Sequence, residues 1–455
     1  MKRTRIFTLV LAVFLLTTMI AGCGTTPSVQ SSTPAPDTSE KSSPSSEPTS
    51  SEPVKITLMN TKGEIAATIE EAAKQFSSEK KNITLEIVPV PAGKSPFEAL
   101  SAMYNSGNAP TLSMIDSGDI PRLKDNFLSL NNEKWMADAI EGTTKVATID
   151  GTTYAFPFTI EGYGLIYNKQ VLDKAYGGNF DPSTIKTRTA LKEAFDKVEA
   201  SGVKAITVSP MDWSLGAHMF SINYIVEGKG KQASYDKLFA DLKSGNIDIS
   251  KNESFNNWVD TFDLLKEYNA EKADPLAATY EKGPEALGKG EVGFWFMGNW
   301  AWPQVKEFDT TGEKFGFIPF PMSDNASDYG NDSIVSFPSK FVAIDKTQNS
   351  EAQQAAAKEF LNWIVYEKSG QDALVNKMNL IPAFSNITLP IADPLGNSIA
   401  QYMSEGKSLS AIDTYTVMPA DHWSQVGASL QKYLSDYSDR ATLAKEIQDY
   451  WKTVK

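Results

Sequence analysis

From Val54 onward, short apolar runs alternate with stretches in which apolar residues recur at helical spacing. Ile56-Thr57-Leu58-Met59 reads as a strand. Asn60-Thr61-Lys62-Gly63 makes a polar turn, and Ile65, Ile69, Ala72, Ala73 and Phe76 then fall on one helical face. Ile83–Val90 predicts a second strand, Phe97–Tyr104 a second helix and Leu112–Ile115 a third strand, closed by Asp116-Ser117-Gly118-Asp119. This alternation predicts an α/β layer around a mostly parallel sheet, with the turns after the first and third strands carrying Asn60, Lys62, Asp116 and Asp119 to one edge.

Further along, Tyr154–Phe158 is extended and Leu165–Tyr167 a strand, with Thr159–Gly164 between them as a charged, glycine-flanked interruption. A helix over Thr189–Ala200 precedes the strand Ala205–Val208, after which Pro210-Met211-Asp212-Trp213 sets an acid and an indole at a strand end. Helices are expected around His218–Val226, Tyr235–Leu242 and Phe255–Tyr268. The β-branched and aromatic run Val292–Met297 predicts a buried strand that Gly298-Asn299 breaks, placing Trp300 just past its end. Such an end is where α/β sheets place ligands. Trp295 belongs to the strand, and Trp302 packs under the turn. Phe315–Phe320, Val335–Phe337 and Phe341–Ile344 are further strands, and Ala352–Ile364 an amphipathic helix. Trp258, Trp363 and Trp451 lie on apolar helical faces and read as core.

The first 53 residues follow neither period. Lys2, Arg3 and Arg5 precede an apolar run, Ile6–Ile20, too short to span a membrane comfortably. It ends Ile20-Ala21-Gly22-Cys23, which resembles a bacterial lipoprotein signal and implies cleavage before Cys23 and lipid attachment to it. Of the 30 residues Gly24–Pro53, 21 are Ser, Thr or Pro, a composition that predicts a solvated tether of roughly 30 Å root-mean-square span. A lipid anchor and tether point to the outer face of the cytoplasmic membrane, in a Gram-positive-type envelope.

Composition removes whole classes of chemistry. With one Cys and two His in 455 residues, there is no basis for a His/Cys metal site, a Cys-His nucleophile or a disulfide framework. No G-x-S-x-G elbow accompanies His218 or His422, and no phosphate-binding glycine loop follows a strand. Net charge is −13; losing the three basic residues of the signal leaves −16, which disfavours nucleic acid. Carboxylate-pair chemistry stays open on composition alone.

Three stretches, with the lipoprotein start, resemble the extracellular solute-binding proteins of ABC importers, in their oligosaccharide-binding (maltose-binding-protein-like) group. They are Tyr154–Phe158 running into Glu161-Gly162-Tyr163-Gly164-Leu165-Ile166-Tyr167-Asn168-Lys169, then Gly298-Asn299-Trp300-Ala301-Trp302, and Leu380-Ile381-Pro382-Ala383. The resemblance covers Val54 to the C-terminus. It implies a two-lobed α/β fold of the periplasmic-binding-protein type II, with a ligand cleft between lobes and a hinge crossed by three segments. The expected lobes are residues 54–160 plus 334–380 and 161–333 plus 381–455, after a signal peptide over 1–22 and a tether over 23–53.

By the same resemblance the ligand is a di- or oligosaccharide, the partner an ABC permease, the chain a monomer without cofactor or metal, and the role non-enzymatic. The positions that match the family's binding sites are Asn60, Lys62, Asp116, Glu161, Tyr163, Asp212, Trp213, Trp300 and Trp423. Phe384 is a weaker match. Indoles suit the apolar face of a pyranose, and carboxylates and amides its hydroxyl rim. Two alternatives stay open: the same fold with a non-sugar solute such as a polyamine, and a secreted glycoside hydrolase or lyase.

Overall fold

The computed structural model describes residues 53–90 and 95–454; the expected signal peptide, Cys23 and the tether lie outside them. Apart from the short hairpin Thr148–Ile149 with Thr152–Thr153, the strands are β1 (Val54–Asn60), β2 (Ile83–Pro89), β3 (Leu112–Asp116), β4 (Phe156–Asn168), β5 (Lys204–Thr207), β6 (Val292–Gly298), β7 (Phe315–Ile318), β8 (Ile334–Ile344) and β9 (Ser408–Leu409). All nine form one sheet in the order β2-β1-β3-β8-β4-β6-β5, with β9 added to β8 and β7 to β4.

The sheet is mixed, where the alternation of strands and helices predicts a mostly parallel one. The β1–β2, β1–β3, β5–β6 and β8–β9 pairs are parallel. The centre is antiparallel: β8 runs against both β3 and β4, and β4 against β6 and β7. Sequence alternation reports only local crossovers; β8 returns from far along the chain to fill the middle.

Two further expectations are corrected. Thr159–Gly164 is no interruption, because β4 runs unbroken from Phe156 to Asn168 with every residue buried. Its glycines serve close approach: a Cβ on Gly162 would lie 2.8 Å from the Val335 carbonyl, and one on Gly164 2.9 Å from that of Ile318. Likewise Val335–Phe337 and Phe341–Ile344 are not separate strands but two ends of β8. The pairing of β8 with β4 shifts register between Pro338 and Lys340, so Ser339 is an extra residue in a bulge. A bulge is also where an interior strand tolerates proline.

β4 and β8 tie two α/β halves together. On one side, helix Ala66–Glu79 packs on β2 and helix Glu351–Tyr366 on β1. Phe76 meets Phe360 and Trp363 there at 5.2 and 5.7 Å, and the Trp363 indole donates to Glu79 at 2.6 Å. The Leu380–Phe384 stretch also belongs here: Ile160 donates to the Ile381 carbonyl, and Phe384 packs on Trp135 and Phe156.

On the other side, helices Arg188–Ala200 and Glu253–Tyr268 flank β5. Trp258 stacks on Phe262 and donates to the Met219 carbonyl at 2.8 Å. Trp451, in the last helix Arg440–Thr453, donates to the Tyr224 hydroxyl at 2.8 Å. Trp258, Trp295, Trp302, Trp363 and Trp451 are all fully buried, each in the core role the sequence indicates.

Candidate functional site

The site is built where the ends of β1, β3 and β6 meet the middle of β4 and β8. After β1, the chain turns on Asn60, whose side chain accepts from the Lys62 amide at 2.9 Å and donates to the Lys62 carbonyl at 3.0 Å. This two-sided clasp spends Asn60 on its own turn and aims Lys62 inward. The Lys62 ammonium is buried and lies 2.5 Å from both the Glu161 and Glu64 carboxylates. The second Glu161 oxygen accepts from Ser339, the bulge residue of β8.

Burial alone would push the Lys62 ammonium down, but the Glu161 and Glu64 charges outweigh it and hold it above the ordinary lysine range. For Glu161, burial works upward, and the charge and hydrogen bond of Lys62 with the Ser339 bond bring it below the ordinary carboxylate range. Both groups are therefore ionised at neutral pH.

Asp116 at the end of β3 faces Lys340 of β8 in register, and the two form an ion pair. Asp119, one short turn later, is buried; loss of solvent and then the Asp116 charge push its carboxyl up to about 7.

An aromatic wall stands beside this polar network. After β5, Asp212 caps its own following turn by accepting from the Trp213 amide at 2.8 Å. Trp213 opens a π-helical stretch, Trp213–Met219, that also carries His218. The His218 ring lies 4.8 Å from Trp300, 4.9 Å from Tyr163 and 5.6 Å from Trp213. Tyr280 closes the side, 5.8 Å from Trp213. Trp213, His218, Tyr280 and Trp300 are partly buried, so ring area is left on the surface.

Trp300 reaches this place because Gly298 lacks a side chain: a Cβ there would sit 2.0 Å from the indole. Asn299 fixes the turn by accepting from the Gly162 amide at 2.9 Å, which ties the Trp300 loop to the residue after Glu161. Beneath the wall, Tyr163 is fully buried with its hydroxyl 2.7 Å from Ser221.

Of the positions expected from sequence, Lys62, Asp116, Glu161, Asp212, Trp213 and Trp300 converge on this region. Tyr163 supports it from below. Trp423 stands apart, exposed at the start of helix His422–Leu434, with no aromatic ring pair among the described residues. Its backbone carbonyl would lie 2.2 Å from a Cβ on Gly216, so helix and π-helical stretch are pressed together. Phe384 is core.

Sequence reasoning missed Glu64, His218, Tyr280, Ser339 and Lys340. His218 carried one signal, as one of two histidines in the chain and five residues after Trp213. The Pro338-Ser339-Lys340 break between two apolar runs carried another.

The fold has relatives among known proteins. Residues 71–398 match the family model described as bacterial extracellular solute-binding protein. No curated protein sequence is significantly similar. Among solved structures, RafE in complex with raffinose superposes with a TM-score of 0.73 at 16% identity, over 88% of this chain and 99% of that one. Maltose-bound MalE3 of T. maritima gives 0.68 at 17% identity, over 88% and 99%. A Bacillus licheniformis sugar transporter in complex with stachyose gives 0.66 at 17%, over 88% and 100%. At these identities the likeness is one of fold, the two-lobed α/β architecture.

Proposed function

The chain belongs to the bacterial extracellular solute-binding proteins, and on that premise we propose that it captures a di- or oligosaccharide between its lobes and presents it to an ABC permease. The observation that carries the sugar reading is the meeting of Trp213, His218 and Trp300 with the Lys62–Glu161 and Asp116–Lys340 pairs. Flat indole area serves the C–H face of a pyranose. Ionised groups at its edge bond hydroxyls more strongly than neutral ones. The two lysines are outnumbered by the Glu161, Glu64 and Asp116 carboxylates, so charge alone does not disfavour a polyamine. The gathered indole area is what favours a neutral, hydroxyl-rich ligand. The raffinose, maltose and stachyose bound by the structural neighbours agree with this reading.

The residues we assign to the ligand are Trp300, Trp213, Asp116 and Glu161, with Lys62 buried behind Glu161 and Asp212 at the rim. Asn60 and Tyr163 hold the site's shape, and Trp423 is an outer platform for a longer chain. We divide the lobes at 54–160 plus 334–384 and 161–333 plus 385–455, moving the expected boundary at 380 because Leu380–Phe384 packs on the first half. Closure about β4 and β8 is the step the ligand favours. The protein binds its sugar without cleaving it.

Calorimetry with gluco-, xylo-, manno-, galacto- and raffinose-type oligosaccharides tests the reading. Expected is micromolar or tighter binding of at least one series, with no product after a day's incubation. Silence across the panel with a response to polyamines would replace it. The anchor is part of the proposal: Cys23→Ser is expected to release the protein from the membrane into the medium, and unchanged membrane retention would remove it.

A further inference from the structure

We propose that His218 contacts the ligand directly, reading a sugar hydroxyl held between Trp213 and Trp300. This deepens the sugar reading above and rests on it.

The imidazole is set among three aromatic rings, with Trp300, Tyr163 and Trp213 at 4.8, 4.9 and 5.6 Å. Each histidine has a buried Nδ1 with no hydrogen-bond partner among the described residues. His422 is otherwise core, 1% exposed, its Nε2 lying 3.2 Å from the Tyr224 hydroxyl under Trp451 and Tyr450. His218 differs in being only partly buried, with its ring at the surface between Trp213 and Trp300. An unmatched polar atom costs about 1–3 kcal/mol, and at His218 a ligand can reach the ring that carries it. The π-helical stretch supplies the means, since a widened turn re-aims side chains and occurs often at functional sites.

The chemistry fits a hydroxyl. A neutral imidazole has one donor and one acceptor, as a sugar hydroxyl does. The charged groups that face the ring are Glu161 on β4, Asp116 at the end of β3 and Lys340 on β8, with Asp212 at the head of its own element. The phenols of Tyr163 and Tyr415 complete the surround; the Tyr415 hydroxyl donates to the Ala217 carbonyl at 2.7 Å. Burial dominates and, with Lys340, pushes His218 down to about 4 against the pull of the two carboxylates. The ring therefore stays neutral at working pH, and it loses its acceptor only in acid.

The test uses the tightest-binding sugar of the panel as probe. His218→Phe keeps the packing and removes both nitrogens; it is expected to weaken binding by roughly tenfold or more. Wild-type affinity should also fall more steeply than the variant's as pH drops from about 5 to 4, where His218 gains its proton. On the unaltered protein, the His218 imidazole nitrogens should shift in ¹⁵N spectra when the probe saturates the site. That measurement decides the matter if the variant fails to fold. Equal affinity in His218→Phe, or nitrogens that do not respond to saturation, overturns the role and leaves the sugar reading intact. A wild type that binds no sugar of the panel overturns both.

Discussion

The Lys62 ammonium and the Glu161 carboxylate, 99 residues apart in sequence, lie 2.5 Å from each other in a place that solvent barely reaches. Each makes the other's burial tolerable, and Glu64 and Ser339 take up remaining bonding capacity. Glu161→Gln should leave Lys62 with Glu64 alone and destabilise the fold by about 3–5 kcal/mol. Adding Lys62→Met should restore much of the loss. Urea denaturation of the two single variants and the double one gives the coupling; strictly additive losses would mean that the pair acts separately.

Trp300 and Gly298 depend on one another in a different way. The indole lies where a Gly298 side chain would be. Trp300→Ala should weaken sugar binding at least about tenfold through loss of the stacking face, with the protein still folded. Gly298→Ala should displace the ring and bring a loss of similar size without removing any aromatic atom. Calorimetry on both checks this, and wild-type affinity in Gly298→Ala would show that the ring's position is immaterial.

What could be read from the sequence divides along physical lines. The β1–β3 half, with its helices, follows from periodicity, because those elements bury one face against a near neighbour. The unity of β4 and of β8 was not legible. Glycine and proline mark breaks in a local reading, yet here Gly162 admits a neighbouring backbone and Pro338 sits in a bulge. For the site, the residue types after strand ends were legible as acids and indoles. Their partners were not: Ser339 meets Glu161 across 178 residues and Lys340 meets Asp116 across 224. Only the sheet register brings them together. His218 was visible as a rare residue, but its environment comes from helix, strand and loop at once.

Asp393 caps helix Pro394–Ser404, one oxygen accepting from the Leu395 and Gly396 amides at 2.9 Å each. The other oxygen is buried with no partner among the described residues, and burial pushes the carboxyl up to about 7 from its ordinary 3.8. The native state thus holds a proton that the unfolded chain releases near pH 4. Stability from this group is complete below that pH and declines as pH rises to about 7. Asp393→Asn keeps the cap and removes the ionisation. It should stabilise the protein at pH 8 by up to on the order of 2–4 kcal/mol and give no gain at pH 4. Denaturation at the two pH values reads this directly; a gain that is larger in acid would contradict it.

Lys145 forms an ion pair with Asp413, with Gln232 3.4 Å from the same ammonium. Under the lobe division proposed above, the pair spans the cleft. Because Lys145 is half exposed, the pair adds only a small increment to the closed form. Asp413→Asn should speed sugar release about two- to fivefold at low salt, and the difference should shrink near 0.5 M salt. Stopped-flow dissociation at two ionic strengths checks it. Release rates that match wild type at low salt would show that the contact does not hold the lobes.

The bulge at Ser339 has a consequence for how this protein can change. The residue that departs from strand register is also the one that donates to Glu161, and its neighbour Lys340 holds Asp116. Selection for a different sugar that acted on Glu161 or Asp116 would therefore alter the stiffness of the joint as well as the shape of the pocket. Preference and mechanics cannot drift independently here. Variants that retune the ligand by moving the aromatic wall, through Trp213 or Trp300, are freer of that constraint, because among the described residues neither indole is hydrogen-bonded to Glu161 or Asp116. New specificities in this scaffold should accumulate on the indole side first.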